Sequence, residues 1–413
     1  GLVLGADRRR LEQLGLDDTD PAVTAALTTC QPELDAAFEP TGDGAAGTDT
    51  VSYANSAAGV TVDLGLATAQ TSAGDASGDV LATIENLGGS AFADTLDSRG
   101  LQFGTYLVGN GGNDTIEGGS GFDYLYGGDG NDVLDGGTDG AYLTGGNGAD
   151  TYLFKRGYGA TTISNYDNDS FGNLADRILF GAGIAQSDVI VRRDYSDLVL
   201  TIKGTNDSLR VQYYFYGDES YGYALENIQF ADGSVWNTAT IKDKVLQGTE
   251  NNDSIYGFST NDNLQGLGGE DYVNGGSGND NLDGGTGNDT LSGENGNDTL
   301  KGGVGNDYLI GGYGADSYLF SRGDGQDTIS NYDYDGLGNQ ADSIQFASGI
   351  AEADITVTKN GRDLVLTINN TSDSIRVQYY FESGANTGYA IENIRFANGA
   401  NWDINTIKQK VSG

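Results

Sequence analysis

The chain is 413 residues long, with 60 acidic and 21 basic side chains, a formal net charge of −39, 67 glycines, one cysteine and no histidine. A charge of that size and sign disfavours nucleic acid and anionic membrane surfaces as partners, and no apolar run is long enough to span a bilayer. The missing histidines exclude His-ligated zinc, the H-E-x-x-H helix and any Ser-His-Asp or Cys-His arrangement, while Cys30 alone cannot build a disulfide framework.

In chain order, residues 1–46 read as the helical tail of an upstream region. Ala6 to Leu16 is one helical stretch and Pro21 to Phe38 another, with Asp20 as its cap and Pro21 at the first helical place. Residues 47–108 form a β lead-in, where Thr50-Val51-Ser52-Tyr53 and Val60-Thr61-Val62-Asp63-Leu64 alternate as strands. A first glycine-rich array occupies 109–154, with units opening at Gly109, Gly118, Gly127, Gly136 and Gly145 and aspartates at Asp114, Asp123, Asp132 and Asp150. A β-rich module, 155–247, follows. In it Leu198, Leu200 and Ile202 face one way, and Leu209, Val211, Tyr213 and Phe215 make a second alternating run. The second array, 248–320, repeats G-G-x-G-x-D-x-L-x, with sixth-place Asp253, Asp262, Asp271, Asp280, Asp289, Asp298, Asp307 and Asp316. A second β-rich module covers 321–413. Residues 150–245 align with 316–411 at a constant offset of 166 with no gap, placing Trp236 and Trp402 at equivalent core-plugging positions. Each module is expected to cap the end of its solenoid. Gly413 stands where the first glycine of a further array would, so the chain reads as a window from a longer tandem protein.

The nine-residue unit carries its own chemistry. Its glycines permit the positive φ of a tight turn, and its last three places suit a short strand with one inward apolar side chain. If two units make one coil, aspartates eighteen apart stack: Asp262 over Asp280, Asp280 over Asp298. Two carboxylates with several turn carbonyls form an all-oxygen cage that suits calcium. Without the cation the stacked carboxylates repel and the carbonyls lack partners, so folding and calcium binding become one reaction. Pairing at eighteen gives six candidate sites in the second array, and Asp114/Asp132 and Asp132/Asp150 in the first, for about eight calcium ions. Asp123 pairs with Ala141 in a degenerate unit, and that site is expected to be weak or absent.

The nonapeptides resemble those of the RTX (repeats-in-toxin) family of type I-secreted bacterial proteins. The modules resemble the haemolysin-type calcium-binding-related domain of that family through Asp197-Leu198-Val199-Leu200-Thr201-Ile202, Glu226-Asn227-Ile228 and Phe230-Ala231-Asp232-Gly233. The resemblance covers residues 47–413 and implies an all-β fold: calcium-loaded parallel β-roll (β-solenoid) arrays alternating with β-rich capping modules, after a short helical N-terminal segment. It also implies calcium held by the sixth-place aspartates and turn carbonyls, as in Asp280 with Gly276 and Gly278. Gly285, Gly287, Gly296, Gly303 and Gly305 serve likewise in the following turns.

No G-x-S-x-G elbow or P-loop appears, and most aspartates already have a calcium role, so no catalysis is expected within the chain. The first functional reading is a secreted or cell-surface calcium-dependent structural or adhesive repeat, a stalk, surface layer or filament, with rolls stacking head to tail. The second is a set of accessory modules of a secreted toxin or polysaccharide-acting enzyme whose catalytic domain lies elsewhere. The third is a glycan-binding surface built on Tyr213, Tyr214, Tyr221, Tyr223, Tyr379 and Tyr380. Asp167-Asn168-Asp169 and Asp333-Tyr334-Asp335 read as solvated turns rather than extra calcium loops.

Overall fold

A three-residue apolar-centred segment between glycine turns satisfies its backbone only by pairing with another coil of the chain. It does so at eighteen residues. Leu264 pairs in parallel with Leu282, Leu282 with Leu300, and Leu300 with Tyr318. The alternate units make a second stack, Val273 with Leu291 and Leu291 with Leu309. Two units therefore make one coil of a parallel β-roll. Val273, Leu282, Leu291 and Leu300 are completely buried between the two stacks. Each such side chain contributes roughly 1.5–3 kcal/mol on removal from water.

The computed structural model describes residues 41–43, 47–166, 175–219, 223, 225–332, 341–382 and 388–412. The expected N-terminal helices with Asp20, Pro21 and Cys30, the Asp167-Asn168-Asp169 and Asp333-Tyr334-Asp335 turns, and Tyr221 lie outside the described residues. The chain divides into two compact units, Gly1–Ala239 and Thr240–Gly413. Among the described residues, the first is built on sheets of eight and nine strands and the second on sheets of eight and seven. Two short α-helices, Thr238–Val245 and Ile404–Ser412, follow the tryptophan-bearing strands. Among the described residues, no helix is long and apolar enough to cross a membrane.

The sheets continue from the strands of each array into those of its module. Tyr152 pairs in parallel with Ile178, and Ile178 with Ile228. Leu143 pairs with Ile163, and Ile163 with Val211. The module strands thus lengthen the roll before closing it with antiparallel pairs, Leu198 with Val211 on one sheet and Ile228 with Trp236 on the other. The second unit repeats this, from Tyr318 through Ile344 and Ile394 to Trp402. Both tryptophans are buried at these ends.

One expected strand run breaks. Leu209 and Val211 are buried, but the strand ends at Val211 and Tyr213 turns left-handed, φ +57°, as does Tyr379 at +54°. That inversion exposes Tyr213 and Tyr379 and drives Tyr214 and Tyr380 into the core. There their hydroxyls donate to the carbonyls of Leu225 and Ile391. Tyr214 and Tyr380 therefore cannot belong to the glycan surface expected of them.

The turns show why glycine recurs. Gly287 has φ +128° and its amide donates to the Val304 carbonyl at 2.8 Å. A Cβ there would collide with the Gly269 carbonyl of the preceding coil. Stacking coils this closely requires both the positive φ and the missing side chain.

Candidate metal centre

The sixth-place aspartates form columns along the roll. The Asp280 amide donates to Asp298 Oδ1 at 2.8 Å, and the Asp298 amide to Asp316 Oδ1 at 2.8 Å. Asp253 to Asp271, Asp262 to Asp280, Asp271 to Asp289 and Asp289 to Asp307 are joined the same way. In the first unit the column runs from Asp114 to Asp132 and from Asp132 to Asp150, each step 2.8 Å. Each Oδ1 is thus held by the amide of the aspartate one coil earlier. All of these aspartates are buried except Asp253 and Asp262, which are half-buried at the start of their array.

The second oxygen separates the residues into two groups. In Asp114, Asp132, Asp271, Asp280, Asp289, Asp298 and Asp307, Oδ2 is buried with no hydrogen-bond partner among the described residues. Buried polar atoms in folded proteins are rarely left so, and a carboxylate oxygen least of all. Asp123, Asp253 and Asp262 instead turn Oδ2 to an amide four residues back in their own turn, on Gly119, Thr249 and Phe258 at 2.9, 2.6 and 2.6 Å. Asp123 Oδ1 also accepts from the Thr105 amide and hydroxyl. With Ala141 opposite it in the next coil, Asp123 is satisfied by protein donors alone.

The orphaned oxygens fit a hard cation. The donors present are carboxylates and glycine carbonyls, an oxygen-only set of the kind calcium takes. Carbonyls of Gly278, Gly285 and Gly287 face Gly296, Gly303 and Gly305 of the following coil, where only glycine leaves room. Gly276, at φ +96°, lies under the Phe258 carbonyl in the same way. Among the described residues no three His, Cys, Asp or Glu side chains converge on one point. An ion here would therefore be held by carboxylates in ones and twos, completed by turn carbonyls.

Burial pushes these carboxyls up, the neighbouring carboxylates in the column add to the effect, and the amide donors partly offset it. Asp114 and Asp280 rise to about 7, and Asp271 and Asp289 to about 6. An aspartate whose folded pKa lies above its unfolded value of about 3.9 binds more protons folded than unfolded between those two values. In the absence of calcium, stability then falls as pH rises through the window from about 4 to 7. A metal-free sample is expected to gain β-structure by circular dichroism as pH is lowered from about 7.5 to 5.5. Loss of structure over that interval would contradict the column geometry.

The columns extend beyond the residues that sequence singled out. The Asp150 amide donates to Asp176, and the Asp176 amide to Glu226 Oε2; Asp316, Asp342 and Glu392 repeat the relay. Asp307 hands on to Asp327 at 3.1 Å. The signal for Asp327 was present in Gly323-Asp324-Gly325-Gln326-Asp327-Thr328-Ile329, a unit displaced from the eighteen-residue spacing. A parallel asparagine ladder was also missed: Asn279 and Asn297 Oδ1 accept the amides of Asn297 and Ala315, each at 2.8 Å, one coil later.

Each roll ends in a polar relay. Gly311 N–H donates to the Tyr318 hydroxyl, which donates to Asn331 Oδ1, and Asn331 Nδ2 donates to Asp342 Oδ2, every step 2.8 Å. Gly145, Tyr152, Asn165 and Asp176 do the same in the first unit. Tyr318→Phe strands a buried amide and a buried asparagine, and is expected to lower the stability of the calcium-loaded chain by about 1–3 kcal/mol. Denaturant unfolding reads this, and an unchanged midpoint would show that the relay contributes nothing.

Comparison with known proteins adds three findings. The profile of the RTX calcium-binding nonapeptide repeat (4 copies) matches residues 108–140, 245–271, 256–291 and 292–329, and that of the haemolysin-type calcium binding protein related domain matches 197–240 and 363–406. The iron-regulated protein FrpA of Neisseria meningitidis serogroup C is 37% identical over 108 residues, 26% of this chain and 10% of that relative's length. The extracellular lipase LipA from Serratia marcescens aligns over 66% of this chain and 37% of its own, with 20% identity and a TM-score of 0.21. The nonapeptide matches fall on the turns that stack the aspartates and the related-domain matches on the strands that close each roll, so over these segments the chain carries RTX calcium-binding nonapeptide repeats and haemolysin-type calcium-binding-related domains.

Proposed function

We propose that the chain is a calcium-dependent, non-enzymatic structural region of a secreted protein, exported unfolded by a type I route and folded outside the cell. The observation that carries this reading is the row of buried, partnerless carboxylate oxygens from Asp271 to Asp307, matched by Asp114 and Asp132. With a net charge of −39, such a chain resists compaction where calcium is scarce. Extracellular calcium modules bind with dissociation constants of about 10⁻⁴–10⁻³ M, so the folded state belongs outside the cytosol. The duplication, and the uninterrupted sheets within each unit, support a stalk, surface-layer or filament role in which copies of the chain assemble head to tail. Electron microscopy of the calcium-loaded protein is expected to show rods or fibres. A uniform population of compact monomers would count against assembly while leaving calcium-coupled folding intact.

A second reading makes these units accessory modules beside a catalytic domain in a toxin or polysaccharide-acting enzyme. The limited coverage of FrpA supports it, since a match of this kind accounts for 10% of that longer chain. A full-length gene product lacking any further folded domain would exclude it.

A further inference from the structure

The nine-stranded sheet of the first unit carries a strip of aromatic rings on its outer face. Tyr106, Tyr124 and Tyr142 hold the same register place on three neighbouring strands. Their ring centroids are 6.4 and 6.1 Å apart. Tyr126 leans into the row, 5.1 Å from Tyr106 and 6.4 Å from Tyr142, and Phe122 packs edge-on against Tyr124 at 5.2 Å. Strand alternation sends Leu107, Leu125 and Leu143 inward beneath them, completely buried. Tyr106, Phe122 and Tyr124 remain 41%, 45% and 44% exposed.

The internal duplication shows that the fold does not need these rings. At the offset of 166, Phe122, Tyr124 and Tyr126 become Asn288, Thr290 and Ser292. The second roll nevertheless keeps the same parallel register, with Thr290 opposite Tyr272 and Tyr308. The same coil is thus built with small polar residues in one unit and with a contiguous aromatic strip in the other. A strip of that kind, left facing solvent, marks a binding surface.

Charge and ring chemistry select the ligand. A polyanion is repelled by a chain of net charge −39. Four of the five rings are tyrosines, each offering an apolar face and a hydroxyl at its edge. That combination matches a pyranose, whose C–H face stacks on an aromatic ring while its hydroxyls stay at the rim. We propose that Tyr106, Phe122, Tyr124, Tyr126 and Tyr142 form a binding platform for a neutral polysaccharide lying across the strands of the first roll. The platform is independent of the structural role proposed above.

The test is native affinity electrophoresis of the calcium-loaded full chain in gels containing soluble β-glucan, mannan or dextran, with alginate as the polyanion. The double variant Tyr124→Thr/Tyr126→Ser installs the residues of the second roll, and calcium-dependent circular dichroism checks that it folds. Retardation by at least one neutral polysaccharide is expected, with apparent affinity about tenfold or more weaker in the double variant. Absence of retardation by all three, retardation by alginate alone, or retardation unchanged in the variant would overturn the proposal. A concentration-dependent dimer in sedimentation that the variant abolishes would also overturn it, assigning the strip to a second copy of the chain.

Discussion

Removing calcium at neutral pH is expected to unfold both rolls together with the strands that close them. Seven column aspartates, Asp114, Asp132, Asp271, Asp280, Asp289, Asp298 and Asp307, hold a buried Oδ2 with no donor among the described residues. Leaving an ionised carboxylate buried and uncompensated costs several kcal/mol each, even after relaxation. Their summed penalty exceeds the 5–15 kcal/mol that a folded domain typically holds in reserve. Among the described residues the module strands share the sheets of the roll, because Ile178 and Ile163 pair directly with roll strands at Tyr152 and Leu143. Chelation at pH 7.5 should therefore abolish the β-signal by circular dichroism and release Trp236 and Trp402 to solvent, with a red shift in fluorescence. Calcium should restore both. Magnesium should not, since it demands near-octahedral geometry and gives up its waters reluctantly.

Asp298→Ala is expected to be the most damaging single aspartate substitution, and Asp123→Asn among the mildest. Asp298 sits mid-column, with Oδ1 holding the Asp280 amide at 2.8 Å and Oδ2 orphaned. Its truncation strands that amide, for about 1–3 kcal/mol, and removes a calcium ligand besides. A total loss of about 3–5 kcal/mol and at least one fewer bound ion should follow. Asp123 has Thr105 and Gly119 as donors and Ala141 below it. Asparagine keeps one acceptor there, so the cost should stay near 1–2 kcal/mol and the bound-calcium count should not change. Denaturant unfolding in saturating calcium, with ion counts by equilibrium dialysis, reads both effects. An unchanged ion count for Asp298→Ala would remove the column from the calcium site.

Where the period is strict, the sequence was legible down to register. Glycine, aspartate and leucine recur together at nine, so the pairing of Leu282 with Leu300 follows from counting. Legibility failed where the period opened out. Asp176 and Glu226 join the column only after connections of 26 and 50 residues, which no local pattern announces. The same longer spacing concealed that the module strands continue the roll. Tyr152 and Tyr318 stand where the repeat places an inward strand residue, yet their hydroxyls close the last turn. Tyr213 followed an alternation that its left-handed φ interrupts, so the inward ring is Tyr214. The asparagine ladder was visible as a recurrent fifth place, but its role emerges only once coils stack and Asn279 meets Asn297.

The measurement that bears most directly on calcium-coupled folding is a single calcium titration of the stripped chain, following bound ion by equilibrium dialysis and ellipticity in the same samples. Superimposable sigmoid curves, with no ellipticity change when magnesium replaces calcium, are the predicted result. Native ellipticity in the stripped chain before any ion is bound would contradict it, showing that the columns stand without the metal and that the proposed export of an unfolded chain has no basis.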